Sequence, residues 1–152
     1  MSAAVEWRWY ALEDLSGRQA YAIFAAREAV FVVEQSCAYQ ELDEFDKEAL
    51  HLVAWDDAEV AAYLRVLAPG TRFNDPSIGR LLVDRDFRRS GLARKAMEMA
   101  LKKIYVLYPA QAVRISAQTY LEAFYASIGF VTVSDVYAED GIPHVEMRRS
   151  SL

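Results

Sequence analysis

Arg88, Gly91 and Ala93 stand at fixed offsets in the run Arg88-Arg89-Ser90-Gly91-Leu92-Ala93, which joins a short apolar stretch to a long amphipathic one. Upstream, Ile78-Gly79-Arg80-Leu81-Leu82-Val83 is short and dense in branched apolar residues, as suits a buried strand. Downstream, Met97, Ala100, Leu101, Ile104 and Leu107 recur at helical spacing. Arg94, Lys95, Glu98, Lys102 and Lys103 take the other side, where Arg94–Glu98 and Glu98–Lys102 can pair one turn apart. A strand entering a helix through such a turn aims backbone N–H groups and the positive end of the helix dipole at one point, which attracts a phosphate. The spacing R-x-x-G-x-A is neither G-x-x-x-x-G-K-[ST] nor G-x-G-x-x-G, so neither the P-loop nor the dinucleotide fingerprint applies. The single cysteine, Cys37, has no basic neighbour in sequence to lower its pKa, which argues against a nucleophilic thiol.

The flanking sequence predicts the elements that position this turn. Val5–Ala11 alternates as an edge strand. Ser16-Gly17-Arg18-Gln19 fits the S-x-x-Q capping box and predicts a helix to about Phe31, with the stripe Ala20, Ile23, Phe24 and Phe31. Arg27 completes that stripe, a charge on an apolar face that must snorkel or meet a carboxylate at the mouth of a site. Glu34 to Leu50 reads as a long, partly irregular connection holding an acidic tract (Glu41, Asp43, Glu44, Asp46, Glu48), the kind of segment that is often functional. His51–Trp55 and Val60–Leu67 form a hairpin around Asp56–Glu59, and Ala68–Pro76 is a loop. After the opening stretch come a strand at Ala112–Ala117, a short helix at Leu121–Ile128 closed by Gly129, a strand at Val131–Tyr137, a turn at Ala138–Pro143 and a last strand at His144–Met147. The result is a mixed α/β fold whose β-α-β unit, Arg80 to Ala117, is expected to be parallel and right-handed.

Composition narrows the class. The 152 residues suit one domain, expected over 1–152, and 54% hydrophobic with 26% charged residues describes a globular chain. No apolar run approaches a membrane span, and Met1–Tyr10 lacks the charged-then-apolar layout of a signal peptide, so a cytoplasmic protein with no membrane partner is expected. One cysteine excludes an internal disulfide and a multi-cysteine metal site, and no metal is expected. A net charge of −5 argues against nucleic-acid binding. Exposed sheet edges leave room for a homodimer.

R-x-x-G-x-A after Val83-Asp84-Arg85-Asp86-Phe87 resembles the pyrophosphate-binding signature of the GNAT superfamily of N-acetyltransferases. A second stretch, from Gln118 to Phe130, resembles the superfamily's N-x-x-A-x-x-[LF]-Y-x-x-x-G-F: Phe124, Tyr125, Gly129 and Phe130 match, while Gln118 replaces Asn and Leu121 replaces Ala. Three further strings, Arg27–Gln35, Tyr39–Asp43 and Tyr137–His144, resemble the ElaA-like subgroup.

The resemblance implies a single-domain acyl-CoA N-acyltransferase fold, a central mixed, twisted sheet flanked by helices. It implies acetyl-CoA as donor and direct transfer to an amine of a small molecule or protein. Arg88, Arg89, Ser90, Gly91, Leu92 and Ala93 would hold the pyrophosphate; Leu81, Leu82 and Val83 would pair with the pantetheine arm like an added strand; Gln118 would touch the cofactor. That strand and Arg114–Ala117 would splay apart, leaving the thioester near Val83. Tyr125 falls where the family has its general acid, and a phenol of pKa ~10 keeps its proton at neutral pH. Glu34, His51 and His144 are candidates for the base, unless water serves. Arg27, Glu34, Tyr39 and His144 are expected around the acceptor, with Glu34 either binding its ammonium or paired to Arg27. The acidic tract reads as solvated surface or as an attractant for a cationic amine. Two rival functions keep this fold: a non-catalytic acetyl-CoA-binding module, and transfer from a longer acyl-CoA, the latter through a likeness of Arg27–Glu34 to acyl-homoserine-lactone synthases.

Overall fold

Among the described residues all but one of the strand pairings are antiparallel, and the exception opens the molecule. The computed structural model describes residues 4–151; positions 1–3 and 152, the ends of the expected domain, lie outside them. Strand β1 (Glu6–Ala11) pairs with β2 (Leu50–Asp56), which turns through Asp57-Ala58 into β3 (Glu59–Leu67). β3 pairs with β4 (Ser77–Val83), and β4 runs parallel to β5 (Val113–Gln118). Beyond β5 lies β8 (Ile142–Arg149), whose outer edge carries β6 (Val131–Thr132) and then β7 (Tyr137–Glu139). These make one eight-stranded mixed sheet.

Helix α1 (Gly17–Glu28) begins as its capping box requires: the Gln19 N–H donates to Ser16 Oγ at 3.1 Å, and the Ser16 N–H to Gln19 Oε1 at 2.9 Å. It does not stop near Phe31. Ala29–Glu34 continues it in the wider π geometry, carrying Val30, Phe31 and Glu34 to the rim of a cavity. Ile23 and Phe31 pack on Val53, Trp55, Tyr63 and Leu82 on one sheet face. On the other face, α2 (Leu92–Leu107) buries Ala96, Met97, Ala100, Leu101 and Ile104 against Leu52, Leu64, Val113 and Met147. Leu107, the last residue of the helix, stays 44% exposed, unlike the rest of its stripe. The short helix α3 (Glu122–Ala126) is followed by Gly129 at φ +102, a conformation that favours glycine.

The single strand expected at Val131–Tyr137 is two. Ser134 Oγ accepts the Glu146 N–H at 2.8 Å, where a backbone carbonyl would otherwise serve. The residues between Thr132 and Tyr137 therefore bulge, and pairing resumes at Tyr137↔His144. The turn expected at Ala138–Pro143 shrinks to Asp140-Gly141.

Candidate active site

β4 and β5 touch in register only at Ser77↔Arg114, where the Arg114 N–H reaches the Pro76 carbonyl at 3.0 Å. Past that point they diverge, and a cavity of about 760 Å³ fills the wedge. Such a volume suits an organic ligand of cofactor size. Leu81, Leu82 and Val83 line it from β4, Arg88, Arg89, Gly91, Leu92 and Ala93 from the turn and the start of α2, Gln118 from the end of β5 and Tyr125 from α3. Ser90 does not line it; its hydroxyl donates to the Phe87 carbonyl.

Two backbone features shape the wedge. In β4, Arg80 and Leu81 together oppose Leu64, a bulge with Arg80 at φ +56. At the helix entrance, Gly91 caps α2 at φ +82, and the Lys95 N–H makes the helix's first bond, to the Gly91 carbonyl at 3.1 Å. The N–H groups of the first turn therefore have no acceptor within the helix, an arrangement able to receive an anion.

Tyr125 packs edge-on against Phe124 and Phe130, with ring centroids at 5.2 and 6.1 Å. Burial pushes its phenol well above the ordinary value, so it keeps its proton, and among the described residues its hydroxyl has no hydrogen-bond partner. Gln118 donates through Nε2 to Gln35 Oε1 at 3.4 Å, and its own Oε1 is buried without a partner among the described residues.

Arg27 and His51 lie elsewhere. Arg27 is fully buried, held by Glu41 Oε2 at 2.6 Å and by both oxygens of Asp46 at 2.7 and 3.0 Å. Arg65 joins the same Asp46 at 2.9 Å and Asp43 at 2.6 Å. The acidic tract is thus no solvated surface in its middle: Glu41, Asp43 and Asp46 pair with Arg27, Arg65 and Arg80 behind the β4 bulge. His51 has no exposure, with Nδ1 at 2.6 Å from the Tyr63 hydroxyl and Nε2 at 3.0 Å from the Asp46 carbonyl oxygen. Burial holds its pKa below the ordinary value. Both ring nitrogens are occupied and neither faces the cavity, so neither Arg27 nor His51 is placed to touch a ligand there. Glu34 does line the cavity, yet its partner is Arg88 rather than Arg27, in a two-pronged pair at 2.9 Å on each oxygen. The Arg88 hydrogen bonds hold the Glu34 carboxyl below the ordinary range, which disfavours it as a base, and in turn neutralise Arg88. Tyr39 lines the cavity and donates to Glu41 Oε1 at 3.0 Å.

Residues 11–151 match the family model described as an acetyltransferase (GNAT) domain. The chain belongs to the GNAT acetyltransferase family. Among its relatives are protein ElaA of Escherichia coli, 37% identical over 97% of this chain and 98% of that protein, and a UPF0039 protein of Synechocystis, 39% identical over 94% of each. A crystal structure of an acyl-CoA N-acyltransferase from Pseudomonas aeruginosa superposes with a TM-score of 0.90 at 41% identity, covering 96% of this chain and 99% of that one. The fold is therefore that of a GNAT acyl-CoA N-acyltransferase, and the chain is an acyltransferase.

In this GNAT fold, His144 sits at the far side of the cavity among residues that the sequence did not single out. It is 6% exposed and stacks on Tyr137, with ring centroids 6.1 Å apart. Its Nδ1 lies 2.7 Å from the Ile142 carbonyl oxygen, and its Nε2 is 3.5 Å from Glu139 Oε2. Ser116, Arg72 and Glu139 line the same end. The available signal is the period-2 alternation of Tyr137 and Glu139, which puts both on one face of a strand, whereas the expected strand ends at Tyr137 and leaves Glu139 in a turn.

Proposed function

We propose that this acyltransferase moves an acetyl group from acetyl-CoA directly to a primary amine, with Tyr125 protonating the departing sulfur. One observation carries the reading: the wedge between β4 and β5 brings the unbonded first turn of α2, the β4 edge facing away from β3, and the Tyr125 hydroxyl to a single cavity. The residues fit a coenzyme A thioester. The first-turn N–H groups and Arg89 would take its pyrophosphate, and Gly91, at φ +82 with no heavy atom within 4 Å of where a Cβ would stand, keeps that approach open. The β4 edge would pair with its amides, and the orphaned Gln118 Oε1 offers an acceptor for an N–H. The bound thioester supplies an activated acyl carbon. Tyr125 Oη, uncommitted and protonated, stands ready as a proton donor. The acceptor is a small-molecule or protein amine.

A CoA-release assay across a panel of amines, with acetyl-CoA and octanoyl-CoA as alternative donors, tests this. Tyr125→Phe is expected to lower kcat about 100-fold while leaving acetyl-CoA binding intact. Gly91→Trp, confirmed folded by circular dichroism, is expected to lose acetyl-CoA binding. Full turnover by Tyr125→Phe, normal binding by Gly91→Trp, or faster turnover with octanoyl-CoA would each overturn the corresponding part.

A further inference from the structure

The far end of the cavity holds a polar cluster that the donor side does not need. His144 projects from β8 toward the same sheet face as Ser116 and Gln118 of β5 and as Tyr137 and Glu139 of β7. The groups facing it are identifiable on every neighbouring element. Glu139 and Tyr137 come from β7, and Gln118 stands opposite in the β5 register. Glu146, two residues along β8, is tied to Arg114 at 3.0 Å. Glu139 Oε1 is held by Arg72 and lies 3.4 Å from Ser116 Oγ, which leaves Oε2 turned to the imidazole.

The Nδ1 contact to the Ile142 carbonyl can only be an N–H donation, because a carbonyl oxygen accepts. In the neutral ring the lone pair therefore sits on Nε2, beside Glu139 and in the cavity lining. Resting on the acetyl-transfer reading above, we infer that this end is the acceptor subsite, where His144 Nε2 takes a proton from the acceptor's ammonium, and that the acceptor is a primary amine with no carboxylate beside its nitrogen. Glu139 is a positioning residue, stabilising the imidazolium that forms and itself fixed by Arg72. The charge balance selects the acceptor. Arg72 is committed to Glu139, Arg80 to Glu41 and Asp43, and Arg88 to Glu34, while Glu139 and Asp140 both line this end. An ammonium is attracted there, and a neighbouring carboxylate meets like charge.

The protons balance. His144 removes one from R–NH3⁺ and returns it to solvent. The freed lone pair forms the C–N bond, the C–S pair leaves with sulfur, and sulfur takes the Tyr125 proton. The second N–H proton, released as the amide forms, restores the phenol. One proton is released per turnover.

The protein has two histidines, so ¹⁵N-resolved NMR of the imidazoles, assigned by the signal lost in His144→Gln, reads the site directly. The neutral His144 ring is expected to carry its proton on Nδ1, and spermidine is expected to shift its signals while leaving those of His51 in place. A proton on Nε2, or signals indifferent to spermidine, overturns the proposal whether or not an amine in the panel turns over. In turnover, His144→Gln should lower kcat about 100-fold with acetyl-CoA affinity unchanged. Glu139→Gln should lower kcat while leaving KM for acetyl-CoA unchanged, and Glu139→Asp should recover part of the loss; a purely structural Glu139 would show neither the kcat-only effect nor the rescue. Glycine methyl ester should outperform glycine. Unchanged kcat in His144→Gln with acetyl-CoA still bound sinks this inference alone, whereas a wild type that fails to bind acetyl-CoA sinks the reading beneath it.

Discussion

The two histidines lie in two buried polar clusters with opposite characters. His51 belongs to the cluster of Arg27, Asp46, Tyr63 and Arg65, where each ring nitrogen has a partner and no group meets the cavity. His144 belongs to the cluster of Arg72, Ser116, Tyr137 and Glu139, where one nitrogen is anchored on a carbonyl and the other lies beside the Glu139 carboxylate at the cavity lining, 3.5 Å away and outside hydrogen-bond geometry. A closed set of paired charges fixes a backbone: Glu41 links the buried Arg27 to Arg80 at the β4 bulge, and so ties the acidic tract to the strand that lines the cavity. An open set with an uncommitted lone pair can move a proton. Two histidines of similar burial thus differ by the number of nitrogens left unused.

That contrast can be broken most sharply through stability. Asp46→Ala strips Arg27 and Arg65 of a shared partner and should cost about 3–5 kcal/mol in urea unfolding, as for other broken buried pairs, whereas His144→Gln should stay within about 1 kcal/mol of wild type. Equal losses in the two variants would erase the distinction. Acid should reveal the closed cluster next. Burial pushes the Asp46 carboxyl up, but the hydrogen bonds and charges of Arg27 and Arg65 override it and hold it at about 2. The stabilisation is complete above the unfolded value near 3.8 and is lost as pH falls toward 2, an effect of order 2 kcal/mol. Unfolding free energies that stay flat between pH 5 and pH 2 would contradict it. The smallest effect belongs to His51. Its folded pKa lies below the unfolded 6.5, so the unfolded chain takes up protons first and stability declines as pH drops below 6.5. His51→Gln should flatten that slope, and an unchanged slope in the variant would assign it to other groups.

How far the sequence could be read follows the distance over which each feature is built. The capping box at Ser16–Gln19 and the strand, turn and helix from Ile78 to Leu107 are local, and they form where expected because the hydrogen bonds and apolar stripes that define them lie within a few residues. Arg27 was visible as a charge interrupting an apolar stripe, but its partners are 14 and 19 residues away, and Glu34, only seven away, belongs instead to Arg88. The acidic tract reads as solvated surface or as an attractant for an amine, because composition alone does not say which guanidiniums fold over it. Glu139 went unnoticed because the break at Ser134, made by a side chain bonding to β8, changes the pairing of everything after it.

By itself, then, the chain's local pattern determined the proposed donor half: periodicity places α2 and a glycine at φ +82 opens its first turn, whose backbone groups would do the binding, so the side-chain context matters little. The proposed acceptor half was decided only by tertiary structure. Its chemistry depends on which carboxylate meets which cation and on which imidazole nitrogen is left over, and those pairings exist only once β5, β7 and β8 are side by side.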